Sequence, residues 1–259
     1  MYPVINIFGF EIQSYALISA VGFVVTVLVV LLMSGLRNIS KEKSLMATLV
    51  SGLGLFAGGH LLFALTNLNN IVKVFSNGFS VSSLFPYISG MVFYGGLFGA
   101  ALSLLIYTRL DASVSRKDIF DMFALAVPLF HSFGRIGCFF AGCCYGIESD
   151  FGITTYLNPS PTHFGVSRFP VALTEAFANV LIFVLILYLY KRNKFKGELF
   201  FIYLSVYAPL RFILEFFRGD KIRGFIFSLS TSQFISLLII LFLCIYYVRK
   251  LFRKGSYKS

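Results

Sequence analysis

SYALISAVGFVVTVLVVLLMSGL, residues 14–36, carries no charged side chain. As a helix, with a rise of ~1.5 Å per residue, it is long enough to cross a hydrocarbon core of ~30 Å. It lacks a basic leader and a small-residue cleavage site, so it reads as a retained span and not a signal peptide. Six further apolar runs follow, at about 45–68, 91–110, 119–146, 169–190, 198–217 and 229–248. The expected fold is an all-α integral membrane protein, one polytopic domain over 1–259 with seven transmembrane helices. The fourth run is longer than a span needs, and a bend or unwinding is expected near Gly142 and Gly146.

Composition supports this reading. Of 259 residues, 58% are hydrophobic and only 13% charged, and mean hydropathy is +0.83. Soluble domains carry about 25% charge. An aromatic content of 18% excludes disorder, since so much apolar surface would not stay solvated. The net charge of +11 is not a nucleic-acid signature, because the basic residues lie in short segments between apolar runs. No repeat or low-complexity tract is present.

Lysine and arginine set the orientation. Fifteen lie in the segments after the first, third, fifth and seventh runs, among them Arg37, Arg116, Lys194 and Lys250, against five on the opposite side. The N-terminus is therefore expected outside and the C-terminus in the cytoplasm. The basic tail RKLFRKGSYK would rest on anionic lipid.

Ionisable groups inside a span are costly and normally face a partner or a cavity. The candidates are His60, His131, Arg135, Glu175, Arg211 and Glu215; all but His131 are placed in outer halves by this orientation, as are Tyr15, Tyr94 and Gln233. One polar cavity open toward the outer leaflet follows. His131, Arg135 and Cys138 share a helical face at i, i+4 and i+7; Tyr207, Arg211, Glu215 and Arg218 share another. Two intramembrane arginines suit an anion, and guanidinium matches phosphate through its planar fork. The abundant phosphate carrier in a membrane is a phospholipid. The competing reading is that Arg135–Glu175 and Arg211–Glu215 are pairs that only neutralise charge.

The glycines of YGGLFG (Gly95, Gly96, Gly99), with Gly134, Gly137 and Gly142, either permit close helix approach or admit a head group to the backbone. Cys138, Cys143, Cys144 and Cys244 show no CxxC pair and no regular ligand spacing, so neither a metal nor a disulfide framework is expected. FAGC at 140–143 has lipobox form but sits deep in the chain. His163 reads as a solvated loop residue.

HSFGRIGCFFAGCCYG, residues 131–146, resembles the G-R-x-G-N-F-x-N-x-E-x-[YW]-G signature of the prolipoprotein diacylglyceryl transferases. SYALISAVGF at 14–23 is similar to the family's first-span tyrosine motif, and VFYGGLFG at 92–99 to its H-G-G-L motif. RFPVALTEA at 168–176 resembles H-P-x-Q-L-Y-E, RFILEFFR at 211–218 resembles R-F-x-x-E-x-x-R, and TSQFISL carries the late glutamine. The signature and these five segments, in the family's order, cover nearly the whole chain. Tyr94 replaces the histidine of H-G-G-L, and Cys138, Ala141 and Cys143 replace two asparagines and a glutamate.

The resemblance implies a multi-pass bacterial cell-membrane enzyme. It would move diacylglyceryl from phosphatidylglycerol to the lipobox cysteine of a prolipoprotein, without a cofactor. Arg135 and Arg211 would hold the phosphate, Glu215 would orient Arg211, and Arg218 would stand at the outer mouth. Tyr15, Gly95, Gly96, Gly137, Gly146 and Glu175 would complete the donor site. The base that deprotonates the acceptor thiol is His131 or Tyr94, water or the substrate phosphate. Two other functions share such a cavity: a related transferase with another acceptor, and a lipid or anion transporter. A transporter commonly shows an internal repeat, which is absent here.

Overall fold

The computed structural model describes residues 3–7, 9–76, 78–154, 165–220, 225–226 and 228–255. It opens with a hairpin, β1 (Val4–Ile7) against β2 (Phe10–Gln13). The Asn6 side chain accepts from Gly9 N–H at 2.9 Å, and Gly9 takes the positive φ of 86° that the turn needs. Helices α1 (Ser14–Ser34), α2 (Lys41–Thr66), α3 (Leu68–Ser76), α4 (Val81–Ile88), α5 (Phe93–Leu110) and α6 (Arg116–Ala141) follow. Strands β3 (Glu148–Thr154) and β4 (Ser167–Arg168) pair beyond α6. Then come α7 (Val171–Lys191), α8 (Leu199–Leu214), β5 (Phe225–Ile226), β6 (Leu229–Ser230) and α9 (Thr231–Gly255).

Seven segments, built on α1, α2, α5, α6, α7, α8 and α9, are long and apolar enough to cross a membrane. They match the seven apolar runs to within a few residues, except at the end of the fourth. There α6 stops at Ala141 and Gly142 turns left-handed at φ 75°, the unwinding expected near Gly142. The small helices α3 and α4 were not anticipated; they are too short to span and bury none of their residues. Large apolar side chains such as Leu32, Leu53 and Leu110 stand over 70% exposed on the spans. Such a surface suits hydrocarbon and not water.

The chain forms two compact units, Val30–Phe123 and the combination of Met1–Val29 with Ala124–Ser259. In the first unit α2 lies very close to α5. A Cβ on Gly99 would run into the Gly54 carbonyl, and one on Gly95 into the Gly58 carbonyl. These glycines meet backbone to backbone, the small-residue contact that brings membrane helices together. Arg37 is not a solvated loop charge. Its guanidinium is fully buried, 3.7 Å from Asp118 and 3.3 Å from Asp121. His60 is tied to the Ile88 carbonyl at 3.1 Å.

Candidate active site

In the second unit the intramembrane charges of α6, α7 and α8 converge on one carboxylate. Glu175, in the second turn of α7, is fully buried. Its Oε2 lies 3.1 Å from Arg135 Nε, and its Oε1 lies 3.8 Å from Arg211 Nε and accepts from the Tyr207 hydroxyl at 3.0 Å. Arg211 Nη2 reaches Glu215 Oε2 at 2.8 Å and donates to Ser232 Oγ at 3.2 Å. The i, i+4 spacing places Arg211 and Glu215 on one face as α8 passes into the 3₁₀ turn Glu215–Phe217.

Both expected pairs therefore exist, yet they do not use up the guanidinium donors. Arg211 Nη1 is buried and donates to no described residue. Among the described residues Arg135 is engaged through Nε alone, with both Nη groups unspent. A buried donor without an acceptor costs about 1–3 kcal/mol or more when charged. Two arginines held by one carboxylate, with donors that no described residue takes up, have the chemistry to receive an anion.

His131 lies beside them. Its Nε2 accepts from Arg135 Nε at 3.1 Å, and its ring packs edge-on against Tyr207 with centroids 5.4 Å apart. The lone pair that a base would use is thus directed at Arg135. Tyr94 is buried in α5, where its ring stacks near Phe98. Gly95 and Gly96 also belong to α5 and pack on α2, Gly96 against Leu55.

Tyr15 and Gly137 meet directly, since a Cβ on Gly137 would lie 3.1 Å from the tyrosine ring. Gly146 sits where the chain after α6 threads between two other segments. Ile147 N–H donates to the Phe217 carbonyl and Gly219 N–H to the Tyr145 carbonyl, each at 3.0 Å. A side chain on Gly146 would collide with the Phe169 carbonyl. Arg218 is clamped by Asp220, Nε to Oδ1 at 3.3 Å and Nη2 to Oδ2 at 2.9 Å. Gln233 does not face a cavity with its amide. Its Oε1 accepts from Ser230 N–H at 3.0 Å, while Ser230 Oγ accepts from Gln233 N–H at 3.2 Å. This reciprocal box caps α9. His163 lies outside the described residues.

Sequence reasoning missed Ser232 and Asp220, which have no distinguishing spacing. It also missed a cluster of sulfurs. The Sγ atoms of Cys138, Cys143 and Cys144 all lie within 4.8 Å of one another. The Cys143 thiol donates to the Cys138 carbonyl at 3.5 Å.

The model of the family described as prolipoprotein diacylglyceryl transferase matches residues 3–249. The phosphatidylglycerol–prolipoprotein diacylglyceryl transferase of Clostridium tetani (strain Massachusetts / E88) is 34% identical over 248 residues, 93% of this chain and 94% of that protein. A protein named phosphatidylglycerol–prolipoprotein diacylglyceryl transferase 2, from Clostridium perfringens (strain 13 / Type A), is 33% identical over 246 residues, 91% of this chain and 90% of that protein. A match over nearly the full length, with the motif arginines gathered around Glu175, leaves one conclusion: the chain belongs to the prolipoprotein diacylglyceryl transferase family.

Proposed function

We propose that this chain transfers the diacylglyceryl group of phosphatidylglycerol to the lipobox cysteine of prolipoproteins, releasing glycerol phosphate. The observation that carries the site is the pair of buried guanidiniums, Arg135 and Arg211, with donors that no described residue takes up. They hold the donor phosphate and stabilise the charge that grows on it as the glycerol carbon–oxygen bond breaks. Glu175 and Glu215 keep both forks in place. Tyr15 and Gly137 line the donor site beside Arg135, and Arg218 stands at its mouth. Incubating the purified protein with labelled phosphatidylglycerol and a lipobox peptide tests this. A thioether-linked product is expected; lipid movement without product would favour a transporter.

His131 is a positioning residue in this reading, because its Nε2 accepts from Arg135. An amide oxygen can take over that acceptor role and a hydrocarbon cannot. His131→Gln should stay within about tenfold of the parent rate with an unchanged pH profile, and His131→Leu should fall by ~10². Loss of turnover in His131→Gln, with donor lipid still bound, would make His131 the base instead.

The polar cluster opens toward the outer leaflet of the bacterial cell membrane, with the N-terminus outside. The excess of lysine and arginine after alternate spans supports this orientation. In a background with native cysteines changed to serine, Asp150→Cys should react with an impermeant maleimide added outside intact cells, and Lys194→Cys should not. The reverse labelling would place the site on the cytoplasmic side.

A further inference from the structure

The sulfur cluster lies at three positions where the chain stops being a helix. Cys138 is in the last turn of α6, and Cys143 and Cys144 follow its end. On a continued helix, positions five and six residues on would point away from Cys138. Here the chain turns back. Cys143 N–H donates to the Cys138 carbonyl at 3.1 Å, and Gly142 and Cys144 both adopt left-handed backbone, at φ 75° and 57°. That conformation is uncommon for a residue with a side chain, and such positions concentrate at functional sites. The backbone beyond is anchored as well, Gly146 bridging to Arg218. The turn that gathers the sulfurs is thus built into the fold.

We propose that Cys138, Cys143 and Cys144 bind one thiophilic d¹⁰ cation, of which Zn²⁺ is the redox-inert choice, leaving one coordination position for the acceptor thiol. Zinc binds sulfur at about 2.3 Å, so tetrahedral ligand sulfurs stand roughly 3.8 Å apart. Sulfurs already within 4.8 Å need only small rotamer changes to reach that geometry. Among the described residues no histidine or carboxylate joins the group as a fourth ligand. A three-ligand zinc site with an open position is the catalytic arrangement, whereas structural sites are closed by four. Soft thiolate ligands select Zn²⁺ or Cu⁺ over Mg²⁺ and Ca²⁺.

The acceptor half of the proposal rests on the transferase reading. A thiol that coordinates such a cation gives up its proton and remains a nucleophile. Its sulfur forms the bond to the glycerol carbon, the carbon–oxygen bond to phosphate breaks, and the electron pair leaves with the phosphate oxygen. The thiol proton ends on the departing phosphate monoester.

The test uses the full chain carrying Cys244→Ser, purified in detergent, reduced and freed of metal, with Co²⁺ as the spectroscopic probe. One Co²⁺ per chain is expected, with thiolate-to-cobalt charge-transfer absorption that one equivalent of Zn²⁺ abolishes. Cys143→Ser and Cys144→Ser should each weaken binding by about tenfold or more. A lipobox peptide should then alter the Co²⁺ spectrum, and its cysteine-to-serine counterpart should not. Absent Co²⁺ binding, or binding indifferent to both serine variants, overturns the metal site. An unchanged spectrum with the cysteine peptide, or full transfer in chelator-treated protein, overturns the acceptor role. Intact Co²⁺ binding in a protein that transfers no diacylglyceryl group would count against the transferase reading and leave the metal site standing.

Discussion

Replacing Arg211 with lysine is expected to reduce diacylglyceryl transfer by ~10²–10³, nearly as much as replacing it with alanine. The reason is geometric. Arg211 reaches Glu175, Glu215 and Ser232 from two of its nitrogens and keeps Nη1 for a ligand. A lysine ammonium is one point charge on a flexible stem. It cannot hold these partners and present a planar fork to phosphate together. Arg135→Lys should behave alike, because Arg135 Nε serves Glu175 and His131 and leaves its amino groups for the proposed donor phosphate. Initial rates at saturating peptide, compared at equal folded protein, check this. Normal turnover in both lysine variants would reduce the arginines to helix-pairing groups.

Glu175→Gln should be the most destabilising single change in the site. Glu175 is fully buried and compensates two buried guanidiniums at once. Removing one partner of a buried ion pair costs about 3–5 kcal/mol, because the remaining charge is left in a low-dielectric interior. For a chain of this size that corresponds to an apparent melting midpoint roughly 10 °C lower. Glutamine still accepts from the Tyr207 hydroxyl, so the loss isolates the charge from the hydrogen bond. A donor-phosphate analogue should recover part of the lost midpoint by supplying negative charge to the same forks. A midpoint unchanged from the parent would show that Glu215 alone neutralises the cluster.

Much of the candidate site was legible because charge inside an apolar run is conspicuous. Arg135, Glu175, Arg211 and Glu215 stand out in segments otherwise almost free of ionisable groups, and helical spacing assigns each to a face. The partners Arg135–Glu175 and Arg211–Glu215 followed from the need to neutralise charge in hydrocarbon. Residues with local uses were harder to place. Gln233 sits near the end of a span like the site residues, but its amide closes the capping box with Ser230. Arg37 counts as a loop cation by position, yet Asp118 and Asp121 bury it.

What the sequence by itself determined is the set of spans and the charged groups inside them. Apolar length and the cost of intramembrane charge are properties of single segments, readable without knowing which helix lies beside which. Only the tertiary structure decided how the charges are shared and where the cysteines meet. Glu175 serves Arg135 from α6 and Arg211 from α8 because α7 brings it to both, a relation between helices that no spacing encodes. The sulfurs converge because the chain leaves the helix after Ala141 and reverses through left-handed residues. Helical periodicity splays positions 138, 143 and 144, and a backbone turn sets them within reach of one another.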